Sequence, residues 1–587
     1  MQGGQQMSRR RFLGAAGAGG ATGVLGAVLY RQRQNATMLV RDTAPSSPPS
    51  AAASRAPNPA PPHDPAVAVS SEPAIAPSSR PNIVLILADD MGWSDIGCFG
   101  SEIATPNLDR LAAEGTRFTG FTNNARCCPS RASILTGLYP TQTGVGYMDT
   151  DQWTPQYQGH LNKSCVTLGE VLRSSGYRTG LFGKWHVGDW GNGVTPAARG
   201  FERSYGPAKR ASYFRPVLYR DEKIIGVPTA ADYYLTDAIT DEAIAGIGEF
   251  VRSGTPFLAH VTYTAPHPPL HARENDIAAY RGRYFAGWDA LREERFARQQ
   301  RMGLVPDIST LPPRDSSAPA WRHVKHREWQ AERMAVYAAQ VTAMDRGIGR
   351  LLNTLDRLGV RENTIVMFLS DNGASAENLS ARNGVGNISV DGRPMRSGNS
   401  TSITPGPSDT FMSYGLQWAN ASNTPFIKFK HWTHEGGVAT PFIASWPGQT
   451  RPGRIDRSLL HVMDLMPTLV ELAGTTYPET HGRLRVSPLE GRSFAPLLHG
   501  PPSTEWTDSR RLFWEHEGNR AVRHGRWKLV APFGLPWELY DMETDRAEQH
   551  NLAAERGDLV QRFTREWREW ATRVGVRRWR PDRRYRP

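Results

Sequence analysis

Asn82-Ile83-Val84-Leu85-Ile86-Leu87-Ala88 runs apolar without a break into Asp89-Asp90, and Thr364-Ile365-Val366-Met367-Phe368-Leu369-Ser370 runs in the same way into Asp371-Asn372-Gly373. A strand buried on both faces reads like this, because helices cover both sides of a parallel sheet. From Met334, residues Tyr337, Ala338, Val341, Met344, Ile348, Leu351, Leu352, Leu355 and Leu358 keep helical spacing up to Gly359. This helix leads directly into the second run. Such strand–helix alternation predicts an α/β fold with a doubly wound, mixed but mostly parallel sheet flanked by helices. Ligand sites in open α/β sheets lie at the carboxyl ends of strands. Asp89, Asp90, Asp371 and Asn372 would meet there as an all-oxygen set suited to a hard divalent cation.

A second stretch carries the chemistry. Cys127-Cys128-Pro129-Ser130-Arg131-Ala132-Ser133-Ile134-Leu135-Thr136-Gly137 combines a nucleophile, a helix start and a fixed cation. Pro129 suits a first helical turn, which would bring Ser130 and Arg131 into it. A helix N-terminus favours an anion, and the planar fork of Arg131 matches an oxyanion.

Cys127-x-Pro129-Ser130-Arg131 with Leu135-Thr136-Gly137 resembles the signature of the type I sulfatases, the formylglycine-dependent, arylsulfatase-like branch of the alkaline phosphatase superfamily. The resemblance spans roughly Arg80 to Val574. It implies that a separate formylglycine-generating enzyme oxidises Cys127 to an aldehyde, with Cys128 at the variable position. It also implies calcium held by Asp89, Asp90, Asp371 and Asn372, with the modified Cys127 completing the site. Gly183-Lys184-Trp185-His186 follows a short apolar segment, so Lys184 and His186 should share one side of an extended strand end; the form is similar to the family's sulfate-binding pair. Lys430, five residues before Glu435-Gly436-Gly437, matches a further sulfate contact. His267, between the prolines of Thr264-Ala265-Pro266-His267-Pro268-Pro269, follows another core strand; histidine suits a proton donor near neutral pH, and the resemblance implies that role for His267. His260 reads as core and His271 as rim.

The implied reaction hydrolyses a sulfate ester to an alcohol and sulfate. Arg131, Lys184, His186 and Lys430 would hold the sulfate, His267 would protonate the leaving alcohol, and His186 would take the proton that permits sulfate release. Two other readings share these residues: a phosphate or phosphonate monoester hydrolase of the same superfamily, and a non-catalytic sulfated-glycan binding relative. Against the second, every expected catalytic position is filled. The substrate is open between aryl and carbohydrate esters. Trp and Arg residues near Gly200-Phe201-Glu202 and in the stretch 272–333, read as an inserted loop over the site, suit either ring.

The net charge of +12 is misleading, because residues 1–40 hold five arginines and no acid, and the last eleven hold six arginines against Asp582. The body is nearly neutral, so the basic balance does not indicate nucleic acid. Four cysteines are too few for a disulfide scaffold, with Cys98 and Cys165 either paired or buried. Ser8-Arg9-Arg10-Arg11-Phe12-Leu13 before an Ala/Gly-rich apolar stretch matches a twin-arginine export signal. This implies the export machinery as a partner and a periplasmic or extracellular location, with an uncleaved N-terminal anchor as the alternative. The expected organisation is a signal over 1–30, an Ala/Pro/Ser-rich disordered linker over 31–80 and a catalytic domain over 81–505. A C-terminal subdomain over 506–576, by resemblance an antiparallel sheet with a helix, and a basic tail over 577–587 complete it.

Overall fold

In a computed structural model of the chain, the described residues are 80–580 except 209–211, 307–309, 385 and 502. They fall within one body, Ala74–Pro587. The expected signal, the linker up to residue 79 and the tail beyond residue 580 lie outside them.

The run at 82 forms β1 (Asn82–Ala88), central in a ten-stranded sheet. The other strands are β2 (Thr116–Phe118), β3 (Arg178–Gly183), β4 (Arg203–Pro207), β5 (Leu218–Arg220), β6 (Lys223–Gly226), β7 (Phe257–Thr262), β8 (Thr364–Ser370), β9 (Phe442–Ser445) and β10 (Arg454–Asp456). Their spatial order is β10-β2-β9-β8-β1-β7-β3-β4-β5-β6. β8, β1, β7, β3 and β4 are mutually parallel, whereas β9 pairs antiparallel with β8 and β2, and β5 and β6 close the far edge antiparallel.

Each face of β1 meets its own core. Val84, Ile86 and Ala88 pack with residues of α1 (Pro106–Glu114), and Ile83, Leu85 and Leu87 pack with residues of α2 (Cys127–Thr136). The first face is completed by α3 (Leu235–Arg252) and α4 (Arg327–Arg357). The sheet is therefore covered on both sides, as the unbroken apolar runs require. The β1–β8 register brings Ala88 opposite Ser370, so both acid pairs emerge at one edge.

Where β3 ends, Gly183 has φ +126°, and a Cβ there would sit 1.8 Å from the Thr262 carbonyl oxygen. Gly183→Ala is expected to cost roughly 2–4 kcal/mol through backbone strain and overpacking, read as a lowered melting midpoint.

Residues 272–333 are partly helical where a loop was expected. They contain helices Glu274–Ala278 and Gly287–Arg301. The second escapes periodicity because its buried face is partly polar: Arg295 is fully enclosed, 2.6 Å from Asp95 Oδ1 and 2.8 Å from Glu102 Oε2. Trp288 and Trp321 are buried with ring centroids 4.6 Å apart. These rings are core, not a stacking surface for substrate. His271, expected at the rim, is fully buried and lies 2.6 Å from the Thr410 carbonyl oxygen through Nε2; His260 is core as expected. All four cysteines are free and buried.

The C-terminal strands β11 (Arg511–His516), β12 (Asn519–His524), β13 (Trp527–Ala531) and β14 (Glu538–Asp541) form an antiparallel sheet. Helix α5 (Gly557–Arg573) packs on it through Phe563, which clusters with Val522, Leu529 and Leu539. Trp514 Nε1 donates to the Asn123 carbonyl oxygen at 2.7 Å, and Lys528 Nζ lies 2.9 Å from Glu435 Oε1, tying this sheet to the body near α2. Among the described residues no helix is long and apolar enough to cross a membrane.

Candidate active site

The neighbouring strand ends bring the acids together. Asp371 N donates to the Ala88 carbonyl oxygen at 3.1 Å, and Asp90, at φ +66°, donates its N–H to Asp371 Oδ1 at 3.3 Å. Asn372 Nδ2 donates to Asp90 Oδ1 at 2.8 Å, which turns its own Oδ1 away; that oxygen and Asp89 Oδ1 are buried and accept no hydrogen bond from the protein. Buried acceptors left this way are costly. With the all-oxygen donor set, they are what a bound hard cation would use.

Cys127 opens α2 directly, with Arg126 as its N-cap, so Pro129 is the third helical residue and falls in the first turn as expected. One ligand atom each from Asp89, Asp90, Cys127 and His267 lies within 4.8 Å of the others. Burial pushes the Cys127 thiol up to about 11, against the opposing pull of Lys184 and Lys430. A neutral thiol is a poor nucleophile.

Arg131, 2% exposed, turns its fork onto Asp371 Oδ2 with Nε at 2.9 Å and Nη2 at 2.8 Å, while Nη1 donates to the Lys184 carbonyl oxygen at 2.9 Å. Its guanidinium thus pairs with an acid of the cluster. Lys184 Nζ is 2.6 Å from Asp89 Oδ2, and Lys430 Nζ is 2.8 Å from Asp90 Oδ2. The strand carrying Lys184 stops at Gly183, and His186 has φ +61°, so the segment is bent where an extended end was expected. Lys184 and His186 nonetheless line one cavity, and His186 Nε2 is 3.5 Å from Asp149 Oδ2.

His267 Nδ1 lies 2.6 Å from the Pro268 carbonyl oxygen. A carbonyl only accepts, so Nδ1 carries the hydrogen and Nε2 faces the site, 3.5 Å from Asp90 Oδ2. Tyr213 Oη donates to the His267 carbonyl oxygen at 2.8 Å. Burial lowers the His267 pKa, opposed by Asp90 and Asp89. Burial would raise Asp89, but Lys184, His267, Arg131 and Lys430 outweigh it and hold Asp89 well below the carboxylate range. Asp371 goes the other way, pushed up to about 7 by burial and by the negative charge of Asp89.

Asp149, Tyr213, Arg126 and Glu377 are site residues that sequence reasoning missed. Glu377 Oε1 is 3.3 Å from Lys430 Nζ and 3.2 Å from Arg126 Nη1. Behind Lys430, His431, His516 and Glu517 also offer ligand atoms within 4.8 Å of one another. Asn519 Oδ1 accepts from Phe533 N, so its Nδ2 points to His431 Nε2 at 3.1 Å. This leaves the His431 hydrogen on Nδ1, 2.7 Å from Glu517 Oε2, and makes the group a hydrogen-bonded support. The Glu435-Gly436-Gly437 turn needs its glycines: a Cβ on Gly436 would lie 2.2 Å from the Ile427 carbonyl oxygen.

Above the acids opens a cavity of about 440 Å³, whose lining includes Lys184, His186, His267, Asp149, Trp190 and Glu377.

A family model described as Sulfatase matches residues 81–475, and one described as N-sulphoglucosamine sulphohydrolase, C-terminal, matches 427–569. The chain is 34% identical over 528 residues to an uncharacterised sulfatase of Schizosaccharomyces pombe, covering 84% of this chain and 94% of the relative. It is 32% identical over 437 residues to an arylsulfatase of Klebsiella aerogenes, covering 71% and 91%. Among solved structures, Ps i-CgsB in complex with k-i-k-neocarrahexaose superposes with a TM-score of 0.61 at 25% identity, covering 84% of this chain and 93% of that one. A phosphonate monoester hydrolase of Agrobacterium radiobacter shares the fold, with a TM-score of 0.54 at 20% identity, covering 84% and 96%.

Proposed function

The chain belongs to the sulfatase family and is a sulfuric ester hydrolase, and from that premise we propose that it works through formylglycine made from Cys127 with calcium beside it. The observation that carries this reading is the placement of Cys127 at the start of α2, among Asp89, Asp90 and His267. Asp89, Asp90, Asp371 and Asn372 would hold the cation, with Asp89 Oδ1 and Asn372 Oδ1 as the acceptors left over for it. Calcium supplies positive charge beside the nucleophile and the sulfate. Formylglycine supplies, once hydrated, an oxygen nucleophile in place of the neutral thiol.

The chain's own residues do the rest. Lys184 and Lys430 hold sulfate oxygens and stabilise charge that develops on them. Arg131 fixes Asp371 and the Lys184 backbone, so it positions the acids. His267, its hydrogen on Nδ1 engaged by Pro268, delivers a second proton from Nε2 to the leaving alcohol oxygen. His186 receives a proton at Nε2, where Asp149 stabilises the resulting charge.

Maturation by a formylglycine-generating enzyme and export by the twin-arginine machinery to the periplasm or beyond belong to this proposal. They are supported by Cys127-x-Pro129-Ser130-Arg131 and by Ser8-Arg9-Arg10-Arg11-Phe12-Leu13. The test compares sulfate and phosphate esters of one alcohol on matured protein, with mass spectrometry of the tryptic peptide from Cys127 to Arg131. An aldehyde in place of the Cys127 thiol, with Cys128 unchanged, and preferred hydrolysis of the sulfate ester are expected. An unmodified Cys127 in active protein, or turnover of the phosphate ester alone, would overturn it.

Calcium should also stabilise the fold. At a hundredfold excess over its Kd it contributes about 2.7 kcal/mol, so EGTA is expected to lower the melting midpoint and calcium to restore it. A midpoint indifferent to both would remove calcium from the account.

A further inference from the structure

A carboxylate stands in the part of the site that must hold an anion. Glu377 Oε1 lies 3.3 Å from Lys430 Nζ and 3.2 Å from Arg126 Nη1, its side chain is 35% exposed, and it lines the same cavity as Lys184, His186 and His267. Lys430 is already matched by Asp90 at 2.8 Å, so a second acid is not needed to keep it buried. Negative charge beside an anion site opposes every substrate, but not equally. A sulfate monoester carries one negative charge and a phosphate monoester close to two at neutral pH. The Coulomb penalty from a fixed carboxylate scales with that charge, so it falls about twice as heavily on the phosphate.

Resting on the sulfatase reading above, we propose that Glu377 is a specificity-determining residue that biases the anion site toward singly charged sulfate esters and against doubly charged phosphate esters. It acts as a repulsive element against a wrong ligand of nearly the same shape. Both hydrolyses break the bond between the central sulfur or phosphorus and the ester oxygen, which takes a proton, so charge is what Glu377 has to read.

The test uses Glu377→Gln, which keeps shape and removes charge, on the matured calcium-loaded enzyme. Three esters of one phenol are compared: the sulfate, the phosphate monoester, and a phosphate diester that carries a single charge. The kcat/KM ratio of phosphate monoester to sulfate is expected to rise on the order of tenfold, while the ratio of diester to sulfate moves less than about twofold. Glu377→Asp should return the ratio toward wild type. Calorimetric titration at mildly alkaline pH with an aryl sulfonate, which carries one charge, and the matching aryl phosphonate, which carries close to two, gives a readout independent of turnover: phosphonate affinity should gain more than sulfonate affinity. If the glutamine variant does not fold, Glu377→Ser carries the same comparison. Unchanged ratios, or monoester and diester shifting together, would overturn the proposal. Failure of the sulfatase reading itself would look different, as wild-type enzyme that hydrolyses no sulfate ester.

Discussion

Cys127→Ala is expected to lower kcat for a sulfate ester by about 10⁴-fold or more, since loss of a covalent nucleophile removes the step that the rest of the site serves. The fold should barely register the change. Cys127 sits at the mouth of α2 beside the acids, so alanine removes one sulfur from a polar site and leaves the helix start intact. Cys128→Ala makes the opposite prediction. That side chain is fully buried in the core with Ala132, Leu135 and Leu138, so its loss should cost about 1–2 kcal/mol of stability and leave kcat nearly unchanged. Two adjacent cysteines thus separate chemistry from packing within one motif. Turnover surviving in Cys127→Ala would end the aldehyde account, whatever the stability data say.

What could be read from the chain follows from how locally each feature is encoded. β1 and β8 were legible because burial on both faces leaves an unbroken apolar run, and the acids after them because a strand's carboxyl end fixes where the next residues go. Cys127, Arg131, Lys184, His186, His267 and Lys430 each sit in a short contiguous motif, so their convergence could be anticipated. Which way each side chain faces could not. The motif marks Arg131 as an oxyanion ligand but not its pairing with Asp371, which belongs to a distant strand and comes within 2.8 Å only through the sheet register. Glu377 and Asp149 lie in loops with no periodicity, and nothing in their neighbours marks them. The helix Gly287–Arg301 was hidden for the converse reason: it buries Arg292, Arg295 and Gln299, the residue types a sequence reading sends to solvent.

Arg131→Met should destabilise the calcium-free protein by about 3–5 kcal/mol, the cost of breaking a buried ion pair by removing one partner. Asp371 and Asp89 would then be left buried with less compensation; Lys184 still serves Asp89, but Asp371 loses the hydrogen bond from Nε and the ion contact with Nη2. The same carboxylates are the proposed calcium ligands, so the loss should depend on the ion. Saturating calcium supplies the missing positive charge, and the difference between Arg131→Met and wild type should shrink in calcium and widen in EGTA. The two perturbations form a cycle whose coupling is measurable from four melting curves. Removing Asp371 as well should recover part of the loss in EGTA, because deleting both partners of a buried pair is cheaper than deleting one. It should recover nothing in calcium, where Asp371 has become a ligand. A penalty for Arg131→Met that is the same with and without calcium would mean that the guanidinium and the cation site are energetically separate. In that case Arg131 would return to the role its motif first suggested, a direct contact to the sulfate.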